Sequence, residues 1–202
     1  MAMSQRPAPD YVGFWDADLA TPLKSIEEFV RVLDRNPRVE MVVGTWMPLL
    51  GRDIRRKPIR HRLGRLFAGV ASAALGLRIY DTQCGAKLFR TSDAMTAIFD
   101  EEFLARWIFD VEILGRAIDA RRDSDLPPLD EVVYELPLDQ WHDVAGSKLK
   151  SGDFLKAVFE LAAIYWRYLR PRRQRSRPAE TPPAVLPLPQ QPAPTPTRRR
   201  AA

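Results

Sequence analysis

The sequence contains one cysteine, two histidines and no long uninterrupted apolar run. A single cysteine excludes an internal disulfide and a cysteine-based zinc cluster, and it fits a reducing compartment such as the cytosol. Crossing a bilayer takes about 20 consecutive apolar residues. The longest candidates, residues 63–77 and 154–169, are too short or carry charges. Residues 1–9 lack the apolar core of a signal peptide. We therefore expect a cytoplasmic chain, at most associated with the cytosolic face of a membrane.

Acidic and basic residues nearly balance outside the C-terminal segment. The net charge is +5, but residues 171–202 hold seven arginines and one glutamate, so the preceding residues carry about −1. Half of the 18 prolines also lie in that segment, a composition that cannot bury a core. We predict a disordered tail at 171–202, a disordered N-terminus at 1–10 and one domain at 11–170. With no basic domain face, we expect no nucleic-acid partner; the alternative is binding through the tail alone.

Strand and helix patterns alternate along residues 10–170. Residues 10–15 and 39–43 are predicted strands, and Thr21-Pro22 is a helix start signal between them. Apolar residues then recur at the spacing of one helix face, at Ile26, Phe29, Val30 and Leu33. This strand–helix–strand unit favours a parallel α/β sheet. Further helices are predicted at 63–77, 92–99, 110–121 and 154–169, strands at 86–89 and 131–136, and a basic loop at 51–61.

Two aspartates, Asp16 and Asp18, follow the first predicted strand. Carboxylates at this spacing can jointly bind a hard divalent cation that keeps open positions for phosphate, and such a cation neutralises a departing diphosphate. The alternative is a turn and a helix cap. A phosphatase of the haloacid-dehalogenase type would need threonine at position 20, where this chain has Ala20.

A glycine-containing loop, Asp81-Thr82-Gln83-Cys84-Gly85, precedes two cations, Lys87 and Arg90. Gly85 permits a close backbone approach, and the cations are candidate phosphate partners. The alternative is a polar loop with solvated cations.

Two later segments carry aromatic and charged residues. The first contains Trp107, Asp110 and Glu112, where an acid can act as a base; the alternative for Asp110 is a helix N-cap. The second contains Trp141, Ser147 and Lys148; the alternative there is an exposed aromatic beside a turn.

In this order, the four segments resemble the second part of a family 2 glycosyltransferase, in the group of dolichyl-phosphate glucosyltransferases and other polyprenyl-phosphate glycosyltransferases. The resemblance covers roughly residues 10–170. It implies a partial GT-A (Rossmann-like) mixed sheet with flanking helices. It also implies inverting, metal-dependent transfer of a sugar from a nucleotide-sugar to a polyprenyl (dolichyl-type) phosphate. Mg²⁺ or Mn²⁺ would bind Asp16 and Asp18, and Asp110 and Glu112 would be catalytic. Substrate-binding residues would be Gln83, Lys87, Arg90, Trp107, Trp141, Ser147 and Lys148. The resemblance also implies that Cys84 is a packed loop residue and not a nucleophile.

The sequence departs from the family pattern at two places. Gly44-Thr45-Trp46 stands where the family has Gly-Ser-Arg, so a phosphate-binding arginine is missing unless Arg52, Arg55 or Arg56 replaces it. The family's first, nucleotide-binding strands should also precede Tyr11. We expect that the start is misassigned, that the gene is truncated, or that a partner chain supplies this half. The alternative function is thus an inactive remnant that contacts a membrane or a partner protein.

The last predicted helix has an aromatic side followed by arginines. Such a helix suits peripheral contact with a membrane interface, and the alternative is an ordinary core helix. The predicted membrane side consists of Phe154, Val158, Leu161, Ala162, Tyr165, Trp166 and Leu169.

Overall fold

The structure is a computed structural model. It describes residues 8–47, 53–55, 58–142 and 151–171, without the side chains of 53–55, 58–63, 141–142 and 151–154. The compact unit ends at Arg170. The predicted C-terminal tail beyond residue 171 and the loop at Ser147 and Lys148 lie outside the described residues.

Strands and helices alternate along the described chain. The strands are β1 (Tyr11–Trp15), β2 (Met41–Thr45), β3 (Asp53–Arg55), β4 (Ala86–Arg90), β5 (Val133–Pro137) and β6 (Gln140–His142). The helices are α1 (Ile26–Arg35), α2 (Pro58–Leu75), α3 (Asp93–Thr96), α4 (Phe109–Arg121), α5 (Leu129–Val132) and α6 (Ser151–Ile164). A π-helical turn, Tyr165–Leu169, extends α6.

Four strands form a mixed sheet in the order β1-β4-β2-β5. Strand β4 is antiparallel to both β1 and β2, whereas β2 and β5 are parallel. The register pairs Trp15 with Ala86 and Tyr11 with Arg90. The end of β1 therefore lies beside the start of β4, and we call this edge the site end of the sheet. A separate parallel pair joins β3 and β6.

Side chains alternate between two cores because successive strand residues point to opposite faces. Met41 and Val43 contact the core formed with α2, α4 and α6. Val42 points the other way, into a second core that contains Phe29 and Leu33 of α1. The fold is thus a mixed α/β sheet with helices on both faces, as the sequence predicted.

Several element boundaries differ from the sequence prediction. Helix α1 begins at Ile26 because a 3₁₀ turn, Leu23–Ser25, follows Pro22. The segment predicted as a strand from residue 131 first completes α5. The strand–helix–strand unit favoured a parallel sheet, but β4 inserts between β1 and β2 and is antiparallel to both. Forty residues, which include β3 and α2, separate β2 from β4, so local patterns do not determine this insertion.

The outer side of α6 differs from the sequence prediction. Leu161, predicted to lie on a membrane side, is buried in the first core, whereas Leu155 and Phe159 are exposed.

We find no helix in the described part of the chain that combines the length and apolar character needed to cross a bilayer.

Candidate active site

The two aspartates predicted to bind a cation lie in a tight turn at the site end of the sheet. The backbone N–H of Asp16 donates to the Gly85 carbonyl (2.7 Å), and the N–H of Leu19 donates to the Asp16 carbonyl (3.0 Å). Leu19 has φ 53°, a conformation that L residues seldom adopt. The Ala20 N–H donates to Asp18 Oδ1 at 3.0 Å. Asp16 and Asp18 are both exposed residues, although the Asp16 carboxylate packs against Gly85.

Gly85 lies against the carboxylate of Asp16. An ideal Cβ built on Gly85 would stand 1.9 Å from both Cγ and Oδ2 of Asp16. Any other residue at position 85 would push this carboxylate away. The glycine at the end of the central loop therefore allows Asp16 and β4 to meet.

A buried ion pair joins β4 to the start of α4. Lys87 is fully buried, and its Nζ donates to Asp110 Oδ1 at 2.5 Å and to the Cys84 carbonyl at 2.7 Å. Asp110 lies in the first turn of α4, with the backbone amide dipoles behind it. Because Lys87 is enclosed by protein and bound to Asp110 and Cys84, its ammonium is not exposed for the predicted phosphate contact.

The acidic groups of the site act on one another. Partial burial, followed by the charges of Asp110 and Asp18, raises the pKa of Asp16 above its ordinary value, and Lys87 opposes this shift. The cluster is therefore richer in negative than in positive charge. Added positive charge at this end of the sheet would be stabilising.

The central loop is fixed by residues that are distant in sequence. The Glu135 carboxylate on β5 accepts from the N–H groups of Tyr80 (2.8 Å) and Asp81 (3.1 Å). Arg65 of α2 donates to the Tyr80 carbonyl at 2.7 Å and stacks over its ring at 3.7 Å. Gln83 continues the loop, its N–H donating to Asp81 Oδ1 at 2.9 Å. These contacts hold the loop beside Asp16 without using its predicted substrate-binding groups.

Cys84 lies buried in the same loop, packed against the sheet. Burial, reinforced by Asp81, raises the pKa of its thiol to about 12. A neutral thiol is a poor nucleophile, which agrees with a packing role.

Glu112, predicted to be catalytic, is fully buried in a different network. Its carboxylate accepts from the Arg116 side chain (2.9 and 3.0 Å) and from the N–H groups of Leu104 (3.1 Å) and Ala105 (2.7 Å). The Tyr168 hydroxyl donates to it at 3.2 Å. Through these contacts Glu112 holds the 101–105 loop to α4. Of the two acids, Asp110 is the one whose charge acts on Asp16.

Arg90 also lies apart from the cluster. It occupies the opposite end of β4 from Ala86, about 13 Å along the strand. Its guanidinium donates to the carbonyls of Leu33 (2.6 Å) and Val39 (3.2 Å), and so joins α1 to the segment that leads into β2. The structure therefore gives Arg90 a structural contact in place of the predicted phosphate contact.

Trp107 and Trp141 have different surroundings. The Trp107 side chain is 47% exposed on the loop that leads into α4. Trp141 belongs to β6, opposite Ile54 of β3, and its side chain lies outside the described atoms. Trp46, which stands in place of the family's arginine, is buried and packs edge-on to Tyr80 at 6.3 Å.

Glu160 of α6 is a residue that the sequence analysis missed. Its carboxylate accepts from the backbone N–H groups of Arg106 (3.2 Å), Trp107 (3.0 Å) and Ile108 (3.1 Å). These N–H groups precede α4 and lack helical partners. Glu160 thereby fixes the turn that exposes Trp107 and leads to Asp110. No local pattern marks such a residue, because its partners are more than fifty positions away.

The side chains at the site end limit how a divalent cation could bind there. In the described ranges, no three His, Cys, Asp or Glu side chains form a group that could hold a metal. Asp16 and Asp18 are exposed residues, and a cation would relieve the repulsion between their carboxylates. Mg²⁺ commonly binds one or two carboxylates together with substrate phosphates, so this pair fits a cation delivered with a diphosphate.

Comparison with known proteins supports the predicted family resemblance. No protein-family model matches the chain. A dolichyl-phosphate β-glucosyltransferase of Trichomonas vaginalis is 33% identical over 158 residues, covering 75% of this chain and 44% of the relative. The Saccharomyces cerevisiae dolichyl-phosphate β-glucosyltransferase is 31% identical over 169 residues, covering 77% and 47%. The glycosyltransferase AglD of Haloferax volcanii is 31% identical, covering 82% of this chain and 25% of its own length.

The chain is therefore homologous to part of a family 2 glycosyltransferase. Within that family, its curated relatives include the dolichyl-phosphate β-glucosyltransferases. The chain spans a little less than half the length of these dolichyl-phosphate enzymes.

Proposed function

We propose that this chain carries the cation-binding and acceptor-side residues of a glycosyltransferase that transfers a sugar from a nucleotide-sugar to a polyprenyl phosphate. The observation that carries the proposal is the meeting of Asp16, Gly85 and the Lys87–Asp110 pair at one end of the sheet. Three separate sequence segments contribute to this cluster. The named activity of the relatives supports the choice of a lipid phosphate acceptor.

In the proposed reaction, an oxygen of the acceptor phosphate attacks the anomeric carbon of the sugar. The bond from that carbon to the nucleotide diphosphate breaks, and the diphosphate leaves with the bonding electrons. A single displacement of this kind inverts the anomeric centre. A phosphate with a second pKa of about 6 is already mostly ionised at pH 7, so strong base catalysis is unnecessary. Asp110, fixed by Lys87, would orient a sugar hydroxyl or the incoming acceptor.

Asp16 and Asp18 would hold Mg²⁺ or Mn²⁺, which supplies positive charge to the departing diphosphate. In this proposal the two carboxylates have unequal surroundings. Asp16 is packed against Gly85 and faces Asp110, whereas Asp18 is tied to the N–H of Ala20. Asp18 is therefore the group whose removal disturbs the protein least while weakening cation binding.

The proposal is tested by transfer of labelled sugar from a panel of nucleoside-diphosphate sugars to polyprenyl phosphate. We expect metal-dependent transfer by the wild-type chain and a loss of about 10²-fold or more in Asp18→Asn and Asp110→Asn. Asp123→Asn is the matched control, because Asp123 is exposed and lies about 20 Å from Asp110 along α4. Full transfer by Asp18→Asn would reject the assignment.

A second candidate is a non-catalytic protein, which the buried Trp46 in place of the family's phosphate-binding arginine favours. It would keep the fold but contact only a membrane or a partner protein. Isothermal titration separates the candidates, since the second one predicts no affinity for any nucleotide-sugar, even with Mn²⁺ present.

A further inference from the structure

Glu135 carries a half-buried carboxylate that binds the main chain of the central loop, residues 80–85. Oε1 accepts from the N–H groups of Tyr80 (2.8 Å) and Asp81 (3.1 Å), and Oε2 also accepts from Tyr80 at 3.0 Å. A carboxylate forms stronger bonds to backbone N–H groups than a neutral acceptor does. Glu135 is the middle residue of β5 and lies opposite Val43 of β2. Because the sheet fixes its backbone, its carboxylate can anchor the loop to the sheet.

The central loop has no helix or strand of its own to hold it in place. It lies between the end of α2 and the start of β4 and belongs to neither element. The loop is nevertheless closely packed, since Asp81, Thr82 and Cys84 are all buried. Buried backbone N–H groups need hydrogen-bond partners, and Glu135 supplies them for two consecutive residues. These bonds cross 54 and 55 positions of the chain, so they join the loop directly to a distant strand.

The last two carbonyls of the central loop contact both parts of the acidic cluster. The Gly85 carbonyl accepts from the Asp16 N–H at 2.7 Å, and the Cys84 carbonyl accepts from Lys87 Nζ at 2.7 Å. Lys87 Nζ in turn donates to Asp110 Oδ1 at 2.5 Å. Two residues separate the anchored start of the loop from these carbonyls. Because close-packed interiors transmit displacements, a shift at the anchored start would move both contacts.

We propose that Glu135 is a positioning residue of the candidate site. By holding the start of the central loop, it places the two carbonyls that fix Asp16 and Lys87, and so sets how far the acidic turn lies from Asp110. The proposal rests on the proposed function, because this separation matters for transfer only if a cation and a sugar bind at the cluster. A role confined to folding predicts something different, namely lower stability with an unchanged site in the molecules that stay folded.

Two substitutions at position 135 separate the loss of the anchor from the loss of its charge. Glu135→Ala removes both acceptor oxygens. Glu135→Gln removes the charge and keeps one oxygen, which can accept from both N–H groups as Oε1 does. Glu40→Gln is the matched control, because Glu40 is another half-buried carboxylate and pairs with Arg121. The Glu40 carbonyl accepts from the Arg90 N–H, which places this control at the end of the sheet opposite to the site.

The first measurement is the labelling of Cys84 by Ellman's reagent in the folded full chain at pH 8. It needs no ligand and reports whether the loop opens locally. We expect Glu135→Ala to be labelled about tenfold faster than the wild type or more, because it loses bonds to a charged group. Glu135→Gln should give an intermediate rate. Urea denaturation gives the global stability of each variant, and Glu40→Gln should show only the increase that its lower stability produces. A rate for Glu135→Ala that global unfolding fully explains would overturn the proposal.

The second measurement tests the placement of the site in the molecules that stay folded. Mn²⁺ binding is followed by electron paramagnetic resonance, together with labelled-sugar transfer. We expect Glu135→Ala to weaken Mn²⁺ binding about tenfold and to lower transfer about 10²-fold. Glu135→Gln should again be intermediate, and Glu40→Gln should match the wild type.

The two measurements together distinguish the possible failures. Faster labelling of Glu135→Ala with wild-type Mn²⁺ affinity and wild-type transfer would make Glu135 a structural anchor alone and reject its positioning role. A wild-type chain that neither binds Mn²⁺ nor transfers sugar would reject the proposed function, and the labelling rates would still decide whether Glu135 holds the loop.

Discussion

Replacing Gly85 by alanine should displace a carboxylate of the candidate site while leaving the stability of the fold nearly unchanged. The new Cβ would stand 1.9 Å from Cγ and Oδ2 of Asp16, whereas real Cβ contacts essentially never fall under 3.0 Å. The carboxylate must therefore retreat by at least about 1.1 Å. Asp16 is exposed and can move into water, so we expect a stability change within about 1 kcal/mol. A displacement of this size near the reacting groups can lower transfer about 10²-fold.

Two other glycines provide controls for this experiment. A Cβ on Gly13 would lie 2.4 Å from the backbone oxygen of Lys87, which cannot move without disturbing the sheet. Gly13→Ala should therefore destabilise the protein by about 1–3 kcal/mol. A Cβ on Gly69 meets nothing within 4 Å, and Gly69→Ala should stabilise α2 by about 0.5–1 kcal/mol.

The assays are urea denaturation for stability, labelled-sugar transfer for activity and electron paramagnetic resonance for Mn²⁺ binding. Gly85→Ala should melt like the wild type and bind Mn²⁺ more weakly. If it retains both wild-type Mn²⁺ affinity and wild-type transfer, the position of the Asp16 carboxylate is irrelevant to function, and the reasoning about the site end of the sheet fails.

Three further predictions concern buried groups. Lys87→Met should lower the free energy of unfolding by about 3–5 kcal/mol, because it leaves Asp110 without its buried partner. In urea denaturation, adding Asp110→Asn should recover part of this loss. If the losses of the two single variants simply add in the double variant, the two side chains do not stabilise each other. Glu112→Gln should lower the melting temperature strongly because Arg116 loses its ionic partner. The molecules that remain folded should transfer sugar at the wild-type rate. A variant that is stable but inactive would instead support a catalytic role for Glu112. The Cys84 thiol should resist Ellman's reagent at pH 8 until urea unfolds the chain, since its pKa is raised to about 12. The thiol of the unfolded chain ionises near pH 9. Ionisation therefore favours the unfolded state, and the free energy of unfolding should decline as pH rises from about 9 towards 12.

The parts of the fold that are local in sequence were predicted well. The apolar spacing of α1 identified Phe29 and Leu33 as buried, and the pattern at residues 86–89 identified β4. Both follow from the alternation or helical repeat of apolar side chains. The acidic turn at Asp16 was also recognisable, because it directly follows a strand.

Contacts between distant segments could not be predicted from these patterns. The role of Lys87 depends on whether its ammonium faces solvent or α4, and a strand pattern does not contain that information. Arg90 stands three residues further along β4, yet the register places it at the opposite end of the sheet. The outer side of α6 was misjudged because burial depends on the position of α4. Glu112 was assigned by resemblance, and its structural contacts emerged only with the loop that it holds.

The hydrogen bonds of Glu160 determine which substitutions the protein tolerates in the turn before α4. Its carboxylate binds backbone N–H groups of Arg106, Trp107 and Ile108 and no side chain of theirs. Every residue type except proline supplies that N–H group, so this contact sets no requirement on the identity of the three residues. Saturation mutagenesis under selection for folding alone should therefore exclude only proline at position 107. Any further restriction at Trp107 would report on what its exposed ring touches outside this chain.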